Sequence, residues 1–210
     1  MGFIFDLDGT LLNSIEDLKN SLNSVLKRYQ LPEHSSSSYK DFVGNGMKIL
    51  VERAVPKGYP EIEKIIKEFL LEYEKRYYEE SRPYDGIMPM LKTLNEKNIP
   101  ISICTNKKQE YTDEIVKRFF SEIEFIKVVG DKFDGLNKPD PFYPLMIAEE
   151  MNLKSSDLYF VGDSDVDMQT SINAKMKGIG VSWGFRSVTE LKNAGATLII
   201  DAPEDIYKLL

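Results

Sequence analysis

The N-terminal part of the chain reads Phe3-Ile4-Phe5-Asp6-Leu7-Asp8-Gly9-Thr10-Leu11-Leu12. Residues 3–5 lack the polar and apolar alternation of a half-exposed strand, so we expect a strand buried on both faces of a parallel α/β sheet. Asp6 then lies beyond the carboxyl end of this strand, where open α/β sheets bind their ligands. Because two neighbouring carboxylates repel each other unless a cation joins them, Asp6 and Asp8 predict a metal ion there. Asp and Gly are also common in turns, so the stretch by itself leaves a simple strand-ending turn open.

The composition is that of a globular protein. A chain of 210 residues, 42% hydrophobic and 29% charged, can bury one full core and a smaller second lobe. No apolar run approaches the length of a membrane span, and the N-terminus lacks the pattern of a secretory signal. The single cysteine, Cys104, fits a reducing compartment. Together with the lack of a membrane span and of a secretory signal, this leads us to expect a cytoplasmic protein with no membrane partner. A net charge of -7 also disfavours a nucleic-acid partner.

Helix and strand patterns divide the chain into two parts. In residues 13–82 apolar side chains recur at helical spacing and no strand is evident. From residue 83 onward apolar strands alternate with helices, which is typical of parallel sheets built from βαβ units. The predicted strands of this part are residues 101–104, 125–129, 158–161, 179–181 and 198–200. Since the first strand needs these as partners, we predict an α/β fold: a Rossmann-like parallel-sheet core of residues 1–12 and 83–210, with an inserted all-helical cap of residues 13–82.

Two later stretches carry polar residues near strand ends. Thr105 and Asn106 follow the strand of residues 101–104, where they can either cap a helix or bind a phosphate through the hydroxyl and nearby backbone N–H groups. Lys138 lies in a turn that Pro139 stiffens, although an isolated lysine is usually solvated. Neither stretch is specific by itself.

The stretch Gly162-Asp163-Ser164-Asp165-Val166-Asp167 is more specific, because Asp163 follows a buried strand as Asp6 does. If a helix begins near Asp165, Asp163 and Asp167 can face one site while Asp165 points elsewhere. Acidic residues also favour helix N-termini, but that preference does not account for a pairing with Asp6 and Asp8. A hard divalent cation suits such oxygen ligands, and Mg²⁺ suits phosphate chemistry in particular.

Taken in order, these residues resemble the four successive signatures of the haloacid dehalogenase (HAD) superfamily of aspartate-nucleophile phosphatases. The matching positions are Asp6 with Asp8, Thr105, Lys138, and Asp163 with Asp167. The resemblance covers nearly the whole chain, including a helical cap after the first signature, as in the branch of phosphoglycolate phosphatases and β-phosphoglucomutases. Local similarities, which look most like phosphoglycolate phosphatases, occur at residues 43–46, 82–86, 105–107, 138–141 and 183–185.

The resemblance implies a role for each acidic residue. Asp6 would be the nucleophile that accepts the phosphoryl group. Asp8 would protonate the leaving alcohol and then activate water. Mg²⁺ would be held by Asp6, the Asp8 backbone carbonyl and Asp163. Asp167 would support the ion through a water molecule or by contacting its ligands.

The resemblance also assigns the phosphate contacts and the sheet order. Thr105, Asn106 and Lys138 would bind the phosphoryl oxygens, which spreads positive charge over the group in transfer. The implied strand order of the HAD-like core is 3-2-1-4-5, with residues 198–200 beyond the fifth strand.

In this family the cap carries substrate choice. Gly44-Asn45-Gly46 is either a tight turn between helices or a loop that closes over the substrate. Lys48 and Arg53 could meet a substrate carboxylate, although both are ordinary on a solvated helix face.

The expected function is Mg²⁺-dependent hydrolysis of a small phosphorylated metabolite through an aspartyl-phosphate, by a monomer or homodimer that resembles phosphoglycolate phosphatases. A β-phosphoglucomutase-like mutase and a pyrophosphatase are alternatives within the same resemblance. A phospho-acceptor signalling module is the alternative from a different class. The Asp-x-Asp pair before a helical cap argues for turnover rather than signalling.

Overall fold

The computed structural model describes residues 1–210. The strands are β1 (Gly2–Phe5), β2 (Leu12–Asn13), β3 (Arg82–Pro83), β4 (Ile101–Lys108), β5 (Val128–Asp131), β6 (Leu158–Gly162), β7 (Lys177–Val181) and β8 (Leu198–Ile200). The helices are α1 (Ile15–Arg28), α2 (Ser36–Phe42), α3 (Met47–Ala54), α4 (Ile62–Tyr73), α5 (Ile87–Glu96), α6 (Gln109–Phe119), α7 (Phe142–Glu150), α8 (Asp165–Asn173) and α9 (Val188–Asn193), with 3-10 turns at Ser155–Asp157 and Pro203–Leu209. None of the helices combines the length and the apolar character that crossing a membrane requires.

Six strands form one parallel sheet in the order β5-β4-β1-β6-β7-β8. From β1 the chain first adds β4 and β5 on one side, and then returns to add β6, β7 and β8 on the other. The direction of winding therefore reverses beside β1, and a ligand crevice forms at such a reversal, beyond the carboxyl ends of the strands. The observed order confirms the predicted α/β fold class and strand arrangement.

Strand β1 is buried on both faces of the sheet. Phe3 and Phe5 point to one face, into an apolar core that continues through the helices α1 to α4. Ile4 points to the other face, where it packs in a second core with Cys104 and Phe160. Because successive side chains of a strand alternate between faces, an unbroken apolar run is what a doubly covered strand needs. The sheet thereby fixes the position of Asp6 at the end of β1.

Three details differ from the sequence-based prediction. The predicted strand of residues 101–104 continues to Lys108 as β4, so Thr105 and Asn106 lie within this strand and not beyond its end. Residues 13–82 showed no strand pattern, yet Asn13 pairs with Arg82 in the short antiparallel ladder of β2 and β3. A two-residue ladder is too short to produce a period in the sequence. The third predicted strand, residues 125–129, corresponds to β5, which begins later. Helices α1 to α4 all lie between β2 and β3, and a cap that acts as a separate unit stays a prediction.

A buried carboxylate joins the two connections that lead into and out of these helices. Asp17, on α1, is only 1% exposed. It accepts hydrogen bonds from the backbone N–H groups of Glu80 and Ser81 at 2.9 and 2.8 Å, and from the Ser81 hydroxyl at 2.6 Å. Each bond to a charged acceptor of this kind contributes about 1.5–3 kcal/mol. The return connection is therefore anchored to the start of α1.

Candidate active site

The carboxyl ends of β1 and β6 bring three buried carboxylates together. Asp6 follows β1, Asp163 follows β6, and Asp167 lies in the first turn of α8. Ligand oxygens of the three side chains lie within 4.8 Å of one another. The structure thus brings together three of the four predicted metal-site residues through their side chains, and the exception is Asp8.

Lys138 supplies the positive charge of this cluster. Its Nζ lies 2.9 Å from Asp6 Oδ1 and 2.6 Å from Asp167 Oδ1, and the lysine side chain is 3% exposed. The second oxygen of Asp167 accepts from the backbone N–H and the hydroxyl of Ser164, at 3.0 and 2.6 Å. Both oxygens of Asp167 are therefore engaged, and the residue acts as the support of Lys138.

Charge and donor chemistry make the cluster fit a divalent cation. Burial raises the pKa of Asp6 to about 6, against the opposing effect of Lys138. Burial, and next the negative charge of Asp167, hold the pKa of Asp163 well above its ordinary value. Burial alone would lower the pKa of Lys138, but Asp167 and Asp6 outweigh it and raise that pKa. Three carboxylates beside one ammonium leave two uncompensated negative charges, and hard oxygen donors with that charge suit Mg²⁺.

Asp163 is fixed from two sides by close backbone approach. It accepts from the Thr10 hydroxyl at 3.2 Å and from the Phe185 backbone N–H at 2.8 Å. A Cβ on Gly9, whose φ is +85°, would lie 2.2 Å from Asp163 Oδ2, and a Cβ on Gly184 would lie 2.1 Å from Asp163 Cβ. Both positions therefore require glycine, which explains Gly9 in the first stretch of the sequence and Gly184 after β7.

The predicted phosphate-binding residues lie around the same crevice. Thr105 and Asn106, on β4, line a pocket together with Asp6. The Asn106 amide donates to the Lys138 carbonyl at 3.0 Å and to the Gly44 carbonyl at 3.3 Å, and its Oδ1 has no hydrogen-bond partner. Asp8 lines the pocket too, but its carboxylate is turned to Lys107. The Asp8 side chain thus stands apart from the three-carboxylate cluster.

Residues 43–47, which run from the end of α2 to the first residue of α3, form part of the pocket wall and are called the lid segment. The volume of the pocket is about 40 Å³. Gly44 and Gly46 form part of its wall, whereas Asn45 does not. The remaining wall residues are Asp6, Asp8, Leu18, Val43, Met47, Leu50, Thr105, Asn106, Lys107, Asp163, Ser164, Phe185 and Arg186.

The structure does not bring Lys48 and Arg53 into this pocket. Lys48 is 63% exposed and pairs with Glu63 at 3.6 Å. Arg53 donates to the backbone carbonyls of Asp41 and Phe42, at 3.3 and 3.0 Å. Helix α3 directs both side chains away from the crevice, although both are close to the lid segment along the chain.

A profile of the family described as haloacid dehalogenase-like hydrolase matches residues 3–181. The chain belongs to this family. A phosphoglycolate phosphatase from Pseudomonas fluorescens (strain Pf0-1) is 28% identical over 213 residues, which cover 99% of this chain and 77% of the relative. An N-acetylmuramic acid 6-phosphate phosphatase from Pseudomonas aeruginosa is 28% identical over 211 residues, which cover 99% of this chain and 93% of the relative.

Solved structures share the fold. The crystal structure of a predicted phosphoglycolate phosphatase from Haemophilus somnus 129PT has a TM-score of 0.89 and 28% sequence identity, and the match covers 99% of this chain and 96% of that one. The predicted haloacid dehalogenase family, fold class and enzyme are thereby confirmed.

Sequence reasoning missed two basic wall residues of this haloacid dehalogenase-like hydrolase, Lys107 and Arg186. The Arg186 guanidinium donates to the carbonyls of Lys40, Asp41 (3.4 Å) and Val43 (2.8 Å), and its Nε lies 3.8 Å from Asp165. The arginine directly follows residues 183–185, which resemble phosphoglycolate phosphatases, and its position after the end of β7 was the available signal. Arg186 joins the core to the lid segment.

We expect Arg186→Ala to loosen the lid segment. Amide hydrogen exchange at residues 40–47 should accelerate by about tenfold, because a charged hydrogen bond of about 1.5–3 kcal/mol is lost and about 1.4 kcal/mol corresponds to tenfold. Arg53→Ala is the matched control, since it removes hydrogen bonds to carbonyls of the same region from within the helical insertion. Equal acceleration in the two variants would mean that contacts within the insertion, and not docking on the core, hold the lid.

Proposed function

We propose that this hydrolase removes the phosphoryl group of a small phosphorylated metabolite, in a Mg²⁺-dependent reaction through an aspartyl-phosphate on Asp6. The pair of Asp6 and Lys138 supports this most directly. A nucleophilic carboxylate can approach a phosphate dianion only if the negative charges are offset, and Lys138 lies 2.9 Å from Asp6 Oδ1 to do so. The lid segment forms part of the wall of the pocket that Asp6 lines, and its closure over a bound substrate would limit the access of bulk water.

Each polar residue then has a task in the transfer. Asp6 attacks phosphorus, while Thr105, Asn106 and Lys138 hold the phosphoryl oxygens. Asp8 gives a proton to the leaving alcohol and later takes one from the attacking water.

The cation would be held by the carboxylates of Asp6 and Asp163 and the Asp8 backbone carbonyl, with Asp167 in support. When bound, Mg²⁺ supplies positive charge against the phosphoryl oxygens and the acidic cluster.

A pocket volume of about 40 Å³ favours a small substrate. Phosphoglycolate, in which the phosphate is esterified to the two-carbon acid glycolate, is the first candidate. The P. fluorescens relative carries that name, and the P. aeruginosa relative is named for a larger sugar phosphate, which would require the lid segment to open.

A phosphate-release panel tests the proposal. The substrates are phosphoglycolate, N-acetylmuramic acid 6-phosphate, pyrophosphate, hexose phosphates and nucleotides, each with Mg²⁺ or with a chelator. We expect Mg²⁺-dependent release with the highest kcat/KM for phosphoglycolate. Release from pyrophosphate alone would identify a pyrophosphatase, and isomerisation of a hexose phosphate without release would identify a mutase. Phosphorylation of the protein without turnover would indicate a signalling module.

A further inference from the structure

The Lys107 ammonium is fully buried and has three partners. It lies 3.1 Å from each carboxylate oxygen of Asp8 and 2.5 Å from the hydroxyl of Tyr73. The lysine side chain is 0% exposed. An ammonium group has three N–H donors, and here each has an acceptor. All three N–H groups of the Lys107 ammonium therefore bond to other groups of the protein, although the residue forms part of the pocket wall.

Lys107 alone orients the Asp8 carboxylate. No other side chain or backbone N–H donates to either oxygen of Asp8. The lysine itself is held at its backbone, since its N–H donates to the Thr105 hydroxyl at 3.3 Å and its carbonyl accepts from the Thr112 hydroxyl at 3.3 Å. A rigid strand residue thus fixes the plane and direction of the Asp8 side chain.

The third partner of the ammonium comes from the helical insertion. Tyr73, at the end of α4, is 0% exposed. Its ring packs against Phe69, Tyr77 and Tyr111, with centroids 5.7, 5.9 and 5.6 Å away. Lys107 Nζ also lies 5.0 Å from the Tyr73 ring centroid. One of the three acceptors of the Lys107 ammonium therefore comes from α4 in the helical insertion.

We propose that Lys107 is a positioning residue for Asp8. We also propose that the Tyr73 hydroxyl completes the set of acceptors around the Lys107 ammonium only when the helical insertion is docked on the core. The inference rests on the proposed function, because it takes Asp8 as the group that moves the proton. As the Asp6 oxygen bonds to phosphorus and the phosphorus–alkoxy bond breaks, the Asp8 carboxyl gives its proton to the leaving oxygen. As water then attacks phosphorus and releases Asp6, the Asp8 carboxylate takes the water proton. Lys107 holds the carboxyl group in line for both transfers and gives up no proton itself.

The test compares two substrates that differ in how much the leaving group needs a proton. An alkyl phosphate releases an alkoxide that must be protonated, whereas p-nitrophenyl phosphate releases a stable phenolate. Rapid mixing measures leaving-group release in the first turnover, before water attack. We expect Lys107→Met to slow alcohol release by about 10- to 100-fold, part of the 10²–10⁴ that general acid catalysis contributes, and nitrophenolate release by less than about threefold, with KM little changed. Tyr73→Phe should show the same pattern with a smaller loss of about 3- to 10-fold, since the lysine keeps its pair with Asp8.

Lys48→Met is the control for loss of a lysine charge, because Lys48 pairs only with Glu63 at the surface. It should alter neither substrate. Equal slowing of both substrates by Lys107→Met, or a large rise in KM, would assign Lys107 to substrate binding and overturn the inference. If Lys107→Met is unfolded by circular dichroism, Tyr73→Phe decides, and its loss must again depend on the leaving group. A wild-type protein that releases neither leaving group would instead overturn the proposed function.

Discussion

Asp6→Asn is expected to abolish turnover, with a loss of more than about 10³-fold in kcat, because the amide cannot form the covalent link to phosphorus. The change is nearly isosteric, and Asp6 Oδ1 can still accept from the Leu7 backbone N–H, now 2.7 Å away. The variant should therefore fold. Phosphate release and acid-quench detection of protein-bound phosphate measure the loss, and Asp165→Asn is the control, since Asp165 is 58% exposed and pairs with Arg186.

The same variant should change how stability depends on pH in the presence of a chelator. Burial raises the pKa of Asp6 from its ordinary 3.8 to about 6. The folded state then binds this proton more tightly than the unfolded state, so the stability contributed by the protonated group is lost as pH rises from about 4 to about 6. Asn carries no such proton. We expect the Tm of Asp6→Asn at neutral pH to equal or exceed that of the wild type.

If instead the variant keeps turnover within about tenfold of the wild type, Asp6 is not the nucleophile.

The sequence alone located the site residues that lie just beyond the ends of strands. Asp6 and Asp163 follow apolar runs, and the carboxyl ends of parallel strands share one edge of the sheet, so a local pattern was enough to predict that they meet. Lys138 was found only through the family signatures, because its turn has no pattern that fixes where the side chain points.

The residues whose roles were missed depend on contacts that are distant in sequence. Lys107 meets Tyr73 across 34 positions, and Arg186 meets Val43 across 143 positions. Periodicity describes one element at a time and therefore cannot reveal such pairs. Lys48 and Arg53 are close to Gly46 along the chain, which is why the sequence suggested them. Successive side chains of a helix are rotated by about 100° around its axis, so residues that are close in sequence can face different directions.

Asp163→Ala is expected to remove most of the Mg²⁺ response, whereas Asp165→Ala should retain it. The two residues are separated by one position, yet Asp163 is 1% exposed within the carboxylate cluster and the Asp165 side chain is 58% exposed. A carboxylate that completes an oxygen shell contributes to cation affinity, while a solvated one outside the shell does not. We expect Asp163→Ala to lower kcat/KM by about 10²-fold or more and Asp165→Ala by less than about threefold.

A second readout keeps this prediction independent of turnover. A cation that binds only the folded state raises the unfolding free energy by about 2.7 kcal/mol at a concentration of 100 Kd, and Tm rises with it. Addition of Mg²⁺ should raise the Tm of the wild type and of Asp165→Ala but not that of Asp163→Ala. Asp163→Asn, which keeps an acceptor for the Phe185 N–H, serves if the alanine variant is unstable.

The loss of activity in Asp167→Ala should be intermediate, because Asp167 Oδ1 holds Lys138 at 2.6 Å and its other oxygen is bonded to Ser164. Equal losses at Asp163 and Asp165 would show that the turn between β6 and α8 does not orient these two side chains as the structure has them.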